Sequence, residues 1–349
     1  MQEVIYLDYN ATAPMLPAVK DAMAELVGRP LNPSSIHSSG RFSRKIMEEA
    51  RGKILKSVNA KNLVFCGSAS EANNFGLAQS AGLLISAIEH ESIYKSAADS
   101  VTIPVNTNGI IDLEALKKLL SQSSTKNPQL ISVMLANNET GIIQPIKEVV
   151  EIAKKHNALV HTDAVQAYGR IEIDFEELGV DLMTISSHKA GGPVGSAAFI
   201  YKNGIELKPF IKGGGQEKNK RAGTENIAAI HGFGVFAEKY QMPDAAFQNY
   251  LEEELQKLGC EVVGKNEERL PNASCIIHPS IPASTMLIHL DSNNICVSSG
   301  SACSSGKVET SRVLQMLKVT NAQNAIRVSM GWNTTKQEVD AFIKVISCI

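Results

Sequence analysis

The stretch VDLMTISSHKAGGPVG, residues 180–195, decides how this chain is read. An apolar run, VDLM, passes into two serines, a histidine and a lysine, and the chain then turns through glycines and a proline. That is the form of a buried strand ending in a polar, tightly turned loop. Between Lys61 and Tyr201 the runs NLVFC, GLLISA, VTIPV, QLISVML, ALVHTD, DLMTIS and SAAFIY alternate with helical-period segments at the spacing of βα units. This predicts an α/β fold, a mostly parallel sheet with helices on both faces. EVVEIAKKHN, from Glu148 to Asn157, reads as an amphipathic crossover helix with basic residues in its last turn, joining QLISVML to ALVHTD.

After Tyr201 the pattern changes. FIKGGGQEKNKRAGTEN, from Phe210 to Asn226, is a polar, glycine-rich loop, and the apolar NIAAIHGFGVFAEKY that follows leads to an expected boundary near Phe236 to Asp244. Beyond it helices and strands alternate as in a smaller α+β domain. The expected organisation is an N-terminal segment, 1–15, packing with that small domain, a large domain over 16–240, and a small C-terminal domain over 241–349.

Composition bounds the function. A chain of 349 residues buries a sizeable core, and 34 lysines and arginines against 36 acids, with no long basic run, argue against a nucleic-acid binder. The N-terminus has no apolar segment of signal-peptide length, and no stretch approaches the about 18 apolar residues of a membrane span, so a cytoplasmic protein is expected. Six cysteines without a C-x-x-C pair read as reduced thiols, and no metal site is expected.

In open α/β sheets ligands sit beyond the carboxyl ends of the strands. The polar residues there form one set: Ser70, His90, Asn138, Asp163 with Gln166, and Ser186, His188 and Lys189. A lysine taken blindly is an exposed cation, but one held after a buried strand can form a Schiff base with an aldehyde. Asp163 reads equally as a helix cap or as the carboxylate that a pyridoxal ring nitrogen needs. GSASEANN is either an ordinary turn into a helix or a set of free backbone amides for a phosphate, and it does not match a nucleotide P-loop. Cys303, among the small residues of SSGSACSSGKVETS, is either an inert loop thiol or a nucleophile. Arg327 interrupts the apolar AIRVSMG, where a lone cation needs an anion, and its fork suits a substrate carboxylate.

With these residues in place, the sequence resembles the pyridoxal-phosphate-dependent cysteine desulfurases of the class V aminotransferase family. YLDYNATAP, NPSSIHSSGR, GSASEANN, EHES, NGIIDLEAL, NNETGIIQPI, HTDAVQ, SSHKAGGPVG, GGGQE, RAGTEN, SGSACSSG and IRVSMG follow the family's order over nearly the whole chain. The resemblance implies the aminotransferase-like fold type I and a homodimer. It implies that Lys189 holds the cofactor, Asp163 pairs with its ring nitrogen, Gln166 and Asn138 contact ring substituents, and His90 stacks on the ring and moves protons. The phosphate falls to Ala69, Ser70, Ser186 and His188, with Thr224 reaching in from a second subunit. The substrate carboxylate falls to Arg327, Asn138 and Asn32. Cys303 then takes the sulfur of L-cysteine as a persulfide, leaving L-alanine, and offers it to an acceptor such as an iron–sulfur scaffold protein, as in the family's long-loop group.

Three departures bear on this. The family usually has an aromatic and a lysine after the cofactor lysine, where this chain has AGGPVG, and looser packing near the cofactor is expected. Ser70 stands where threonine is commoner and keeps the hydroxyl. The chain ends at Ile349 without the extension that longer members dock on a scaffold, so scaffold docking is expected to be less secure than the chemistry. The competing readings are another class V enzyme, an aminotransferase or a cysteine or selenocysteine lyase, and a non-catalytic binding protein. Cys303 argues against the first, because transamination needs no thiol, and intact Lys189, Asp163 and His188 argue against the second.

Overall fold

The computed structural model describes residues 4–122, 129–299 and 310–349. The seven apolar runs form one seven-stranded sheet. Its spatial order is Leu63–Cys66, Ala197–Tyr201, Leu182–Ile185, Leu159–Asp163, Leu130–Ser132, Leu83–Ser86 and Val101–Ile103. Every pairing is parallel except those of Ala197–Tyr201, which runs against both neighbours. The central strands are buried along nearly their whole length, which is why they read as continuous apolar runs rather than alternating ones.

The crossover helix spans Ile146–Lys155, beginning two residues earlier and ending two residues earlier than its sequence signal. Pro145 precedes its first turn, and Asn157 takes a left-handed φ of 53°, which an α-helix cannot continue through. Ile146, Val149, Val150, Ile152 and Ala153 form its buried face, and burying each large aliphatic chain stabilises the lobe by about 1.5–3 kcal/mol.

The C-terminal part builds a second, antiparallel sheet in the order Ser298–Ser299, Ala325–Ser329, Ala273–Ile277 and Glu261–Val262. Leu251, Leu255, Ile276, Leu290, Val328 and Phe342 fill its separate core, and Leu7 joins them. The N-terminal strand Ile5–Tyr6 pairs in parallel with Ile295–Cys296, so the chain's first described residues lie with the C-terminal sheet. Among the described residues no helix is long and apolar enough to cross a membrane.

Two loops depart from their sequence reading. Within the glycine-rich loop, Glu217, Lys218 and Asn219 all take left-handed φ values, a strained run for residues with side chains. Buried Glu217 holds it: its carboxylate accepts from the Arg51 guanidinium at 2.7 and 3.1 Å and from the Phe65 amide at 2.9 Å.

The AGGPVG turn is packed tightly, contrary to the looser packing expected of it. Gly191, Gly192 and Pro193 are buried, Gly192 donates its amide to the Ser187 carbonyl at 2.9 Å, and Gly191 accepts from the Leu16 amide at 2.8 Å. A β-carbon on Gly192 would lie 2.1 Å from the Ser187 hydroxyl oxygen, so the missing side chain is what lets the turn close under the lysine. The Gly192→Ala variant is expected to lose about 1–3 kcal/mol of unfolding free energy in chemical denaturation; an unchanged denaturation midpoint would show that the turn has room to spare.

Candidate active site

A cavity of about 330 Å³ opens where the strand ends of the large sheet meet the N-terminal segment and the strand Ala325–Ser329. Ala69, Ser70, His90, Asn138, Asp163, Gln166, His188, Lys189 and Arg327 all line it. A larger recess of about 700 Å³, walled by Gln144–Glu148, Asp174, Glu177 and Glu267, holds none of the predicted residues. The smaller space gathers an amine, carboxylate, imidazoles and guanidinium from distant parts of the chain.

Asp163 ends its strand and is held by donors alone. Its carboxylate accepts from the Asn73 side-chain amide at 2.7 Å and from the Val165 backbone amide at 2.9 Å. Asn73 also donates to the Ser92 hydroxyl at 2.9 Å, which lies 2.8 Å from His90 Nδ1. The Ser92 backbone amide donates to the same Nδ1 at 3.1 Å. An amide can only donate, so Nδ1 keeps its lone pair and neutral His90 carries its proton on Nε2. Burial lowers the pKa of His90 and the Lys189 charge adds to this, while Asp163 opposes it. His188 is lowered to about 4, first by burial and then by the charges of Lys189 and Arg170.

GSASEANN starts the helix Ala69–Leu77, with the Ser68 hydroxyl capping it by accepting from the Glu71 amide at 3.2 Å. The first helical amides, Ala69 and Ser70, have no intrahelical acceptor and suit a phosphate. Glu71 steadies this start, accepting from the Gly67 amide at 2.8 Å and from Arg221 Nε at 2.8 Å.

Arg327 is fully buried in the strand Ala325–Ser329, and the anion it requires is within the chain. Its Nη2 donates to Asp8 at 2.7 Å and its Nη1 to the Asn138 carbonyl at 3.0 Å. Asp8 also accepts from the Ser298 hydroxyl at 2.8 Å. Each Nη keeps a second hydrogen and Arg327 lines the cavity, so the fork keeps donor capacity for an incoming carboxylate.

Other predicted residues lie apart. Ser186 is buried, but its hydroxyl donates to the Ser196 carbonyl at 3.2 Å and it does not line the cavity. Thr224 is exposed outside it, and exposed Asn32 accepts from the Ser34 amide at 2.9 Å in a local turn. Cys303 lies outside the described residues. A few residues past it, Arg312 donates to the carbonyls of Ala87 and Glu89 and sits over the Tyr94 ring at 3.8 Å, beside the backbone that carries His90.

Sequence reasoning missed Asp8, Asn10, Asn73, Ser92, Arg170 and Arg312. Asn73 and Ser92 carried a signal, since they lie inside GSASEANN and EHES. Asp8 and Asn10 likewise lie inside YLDYNATAP, but the partners of Asn10 are not local: its amide donates to the Asn138 carbonyl at 3.2 Å and its oxygen accepts from Asn272 at 3.3 Å, contacts that join distant parts of the chain.

The donor set fits pyridoxal phosphate. Asp163 remains a carboxylate acceptor for a protonated ring nitrogen, Lys189 supplies the amine, and Ala69 and Ser70 supply amides for the phosphate. Of the lining residues, the cations Lys189 and Arg327 outnumber the single carboxylate, Asp163, as an anionic ligand requires.

The aminotransferase class-V family model matches residues 5–342. A cysteine desulfurase IscS of Dictyoglomus turgidum is 37% identical, over 100% of this chain and 95% of that protein. The crystal structure of a NifS-like protein from Rickettsia africae superposes with a TM-score of 0.92 at 39% identity, covering 99% of both chains. The structure of SspA in complex with cysteine superposes at 0.82 with 26% identity, covering 93% of this chain and 98% of that one.

The depressed His188 pKa sets an acid-side dependence. From the ordinary imidazole value of 6.5 down to about 4, the unfolded chain binds a proton that folded His188 refuses, so its contribution is present above 6.5 and lost as pH falls through that window. The apoprotein is expected to lose melting temperature between pH 7 and pH 4.5 more steeply than the His188→Asn variant, compared by scanning calorimetry (about these pH limits). Identical slopes would contradict a buried neutral imidazole.

Proposed function

This chain belongs to the class-V aminotransferase family, and on that premise we propose that it is a cysteine desulfurase converting L-cysteine to L-alanine. It is a pyridoxal-phosphate-dependent enzyme. The observation that carries the proposal is that Lys189, Asp163, the amides of Ala69 and Ser70, and Arg327 border one cavity. When bound, the cofactor supplies an aldehyde for an amine and a ring nitrogen that draws electron density from the reacting carbon.

The residues of the chain do the rest. Asp163, oriented by Asn73 and the Val165 amide, holds the proton of the ring nitrogen. Gln166 and Asn138 contact ring substituents. His90, with its Nδ1 engaged by Ser92, lines the cavity and would present Nε2–H as a donor to the bound cofactor or substrate. The phosphate is bound at Ala69 and Ser70 with His188, and Thr224, exposed outside its own chain's cavity, reaches a second subunit's site in a homodimer. Arg327 holds the substrate carboxylate with Asn138. The Lys189 amine is the proton carrier at the substrate's α-carbon. The Cys303 thiol attacks the sulfur of L-cysteine: an S–S bond forms, the C–S bond breaks, and the enzyme keeps a persulfide as L-alanine leaves.

A solved relative held in complex with cysteine supports this substrate. Transfer of the sulfur to an acceptor protein, as for iron–sulfur cluster assembly, is part of the proposal, and so is cytoplasmic residence. So is the division into a segment 1–15, a large domain 16–240 and a small domain 241–349, which the two sheets and their separate cores support.

Purified protein with L-cysteine and a thiol reductant is expected to release alanine and sulfide in equal amounts. Lys189→Ala and Cys303→Ala are each expected to cut this rate by about 100-fold or more. Sulfide release by Cys303→Ala at the wild-type rate would refute the persulfide step.

A further inference from the structure

Arg170 is the third cation at the site, and nothing in the function proposed above uses it. It is 3% exposed, and among the described residues no carboxylate forms an ion pair with it. Its partners are neutral oxygens from three segments. Nη1 donates to the Gln166 carbonyl at 3.0 Å and to the Gln166 side-chain oxygen, and Nη2 donates to the Tyr9 carbonyl at 3.2 Å and the Lys189 carbonyl at 2.7 Å. Burying a cation without a counter-ion is costly, so the arrangement calls for a return elsewhere. The chain is shaped to admit it: Gly169 takes a φ of 83°, and a β-carbon there would lie 2.8 Å from both Ala190 and Phe236.

A guanidinium has no acceptor. Whatever the ambiguity of an amide's two ends, Gln166 must turn its oxygen toward Arg170 and its NH₂ away. One of those hydrogens goes to the Asn10 carbonyl at 3.1 Å. Because Gln166 lines the cavity, the second is left for a ligand. We propose that Arg170 is a positioning residue that locks the Gln166 amide with its N–H toward the cavity, making it a donor for an anionic oxygen on the cofactor ring, while the same fork fixes the backbone of Lys189. This rests on the cofactor reading above. Its consequence is electronic: a fixed donor stabilises the deprotonated, more negative form of the bound cofactor, so losing it raises the pH at which the bound cofactor's visible absorbance titrates.

The test is that pH midpoint, read by absorbance on protein reconstituted with pyridoxal phosphate, for wild type, Arg170→Met, Gln166→Leu and the double variant. Each single variant is expected to raise the midpoint by about one pH unit, and the double variant to go no further than the larger single shift. A wild-type midpoint in Arg170→Met overturns the proposal, and so does full additivity in the double variant, which would mean that Arg170 acts by charge alone. If Arg170→Met does not fold, Gln166→Glu takes its place, keeping an oxygen for Arg170 while removing the donor. It is expected to raise the midpoint, and an unchanged midpoint overturns the proposal. A wild-type protein that gains no absorbance with pyridoxal phosphate overturns the cofactor reading itself, which separates the two failures.

Discussion

One guanidinium ties the site together. Arg170 takes the carbonyls of Tyr9, Gln166 and Lys189, and so joins the N-terminal segment, the turn after the strand Leu159–Asp163 and the break after the strand Leu182–Ile185. That junction adds to bonds made pairwise between the same segments, from the Gln166 amide to the Asn10 carbonyl at 3.1 Å and from the Ala13 amide to the His188 carbonyl at 2.8 Å. With it, the amine of Lys189 and the amide of Gln166 leave from one braced frame, and the loss of hydration of the buried cation is met by oriented carbonyl dipoles. The same constraint explains why small residues cluster here, since Gly169 and Gly192 give way to neighbouring chain where a side chain would collide.

Around that frame the polar groups are ordered by what each can donate or accept. Asp163 receives only donors and stays available as an anion, Asn73 passes the connection to Ser92, and Ser92 fixes His90 in one tautomer. Arg327 is steadied by Asp8 rather than left bare. An amine beside a strictly accepting carboxylate, a neutral imidazole and a half-engaged guanidinium is suited to moving a proton at a carbon atom next to a carboxylate.

The sheet was legible because parallel strands covered on both faces must be apolar throughout, and NLVFC through SAAFIY show that run by run. Lys189, Asp163 and Gln166 were legible because strand ends bring polar residues to one edge whatever the loops do. Contacts that close only in three dimensions were not. Asn10 meets Asn272 across 262 residues, and Asp8 meets Arg327 across 319, so neither pairing leaves a local pattern. Arg170 drew no reading from the sequence, and only the carbonyls converging on it give it a role. Ser186 shows the opposite limit: it follows its strand's end as SSHK suggests, yet its hydroxyl is turned to Ser196 and it does not line the cavity. The AGGPVG turn looked slack beside the family's usual aromatic and lysine, because a sequence does not reveal that the space left by a missing side chain is already filled by Ser187.

The central claim is that Lys189 is the cofactor's anchor. Borohydride reduction of the protein after incubation with pyridoxal phosphate, followed by peptide mass spectrometry, tests it directly. The account predicts one dominant adduct, of the cofactor's mass less one oxygen atom because condensation expels water and reduction adds two hydrogens, on the peptide that contains Lys189. A dominant adduct on any other lysine, or none at all, would contradict it.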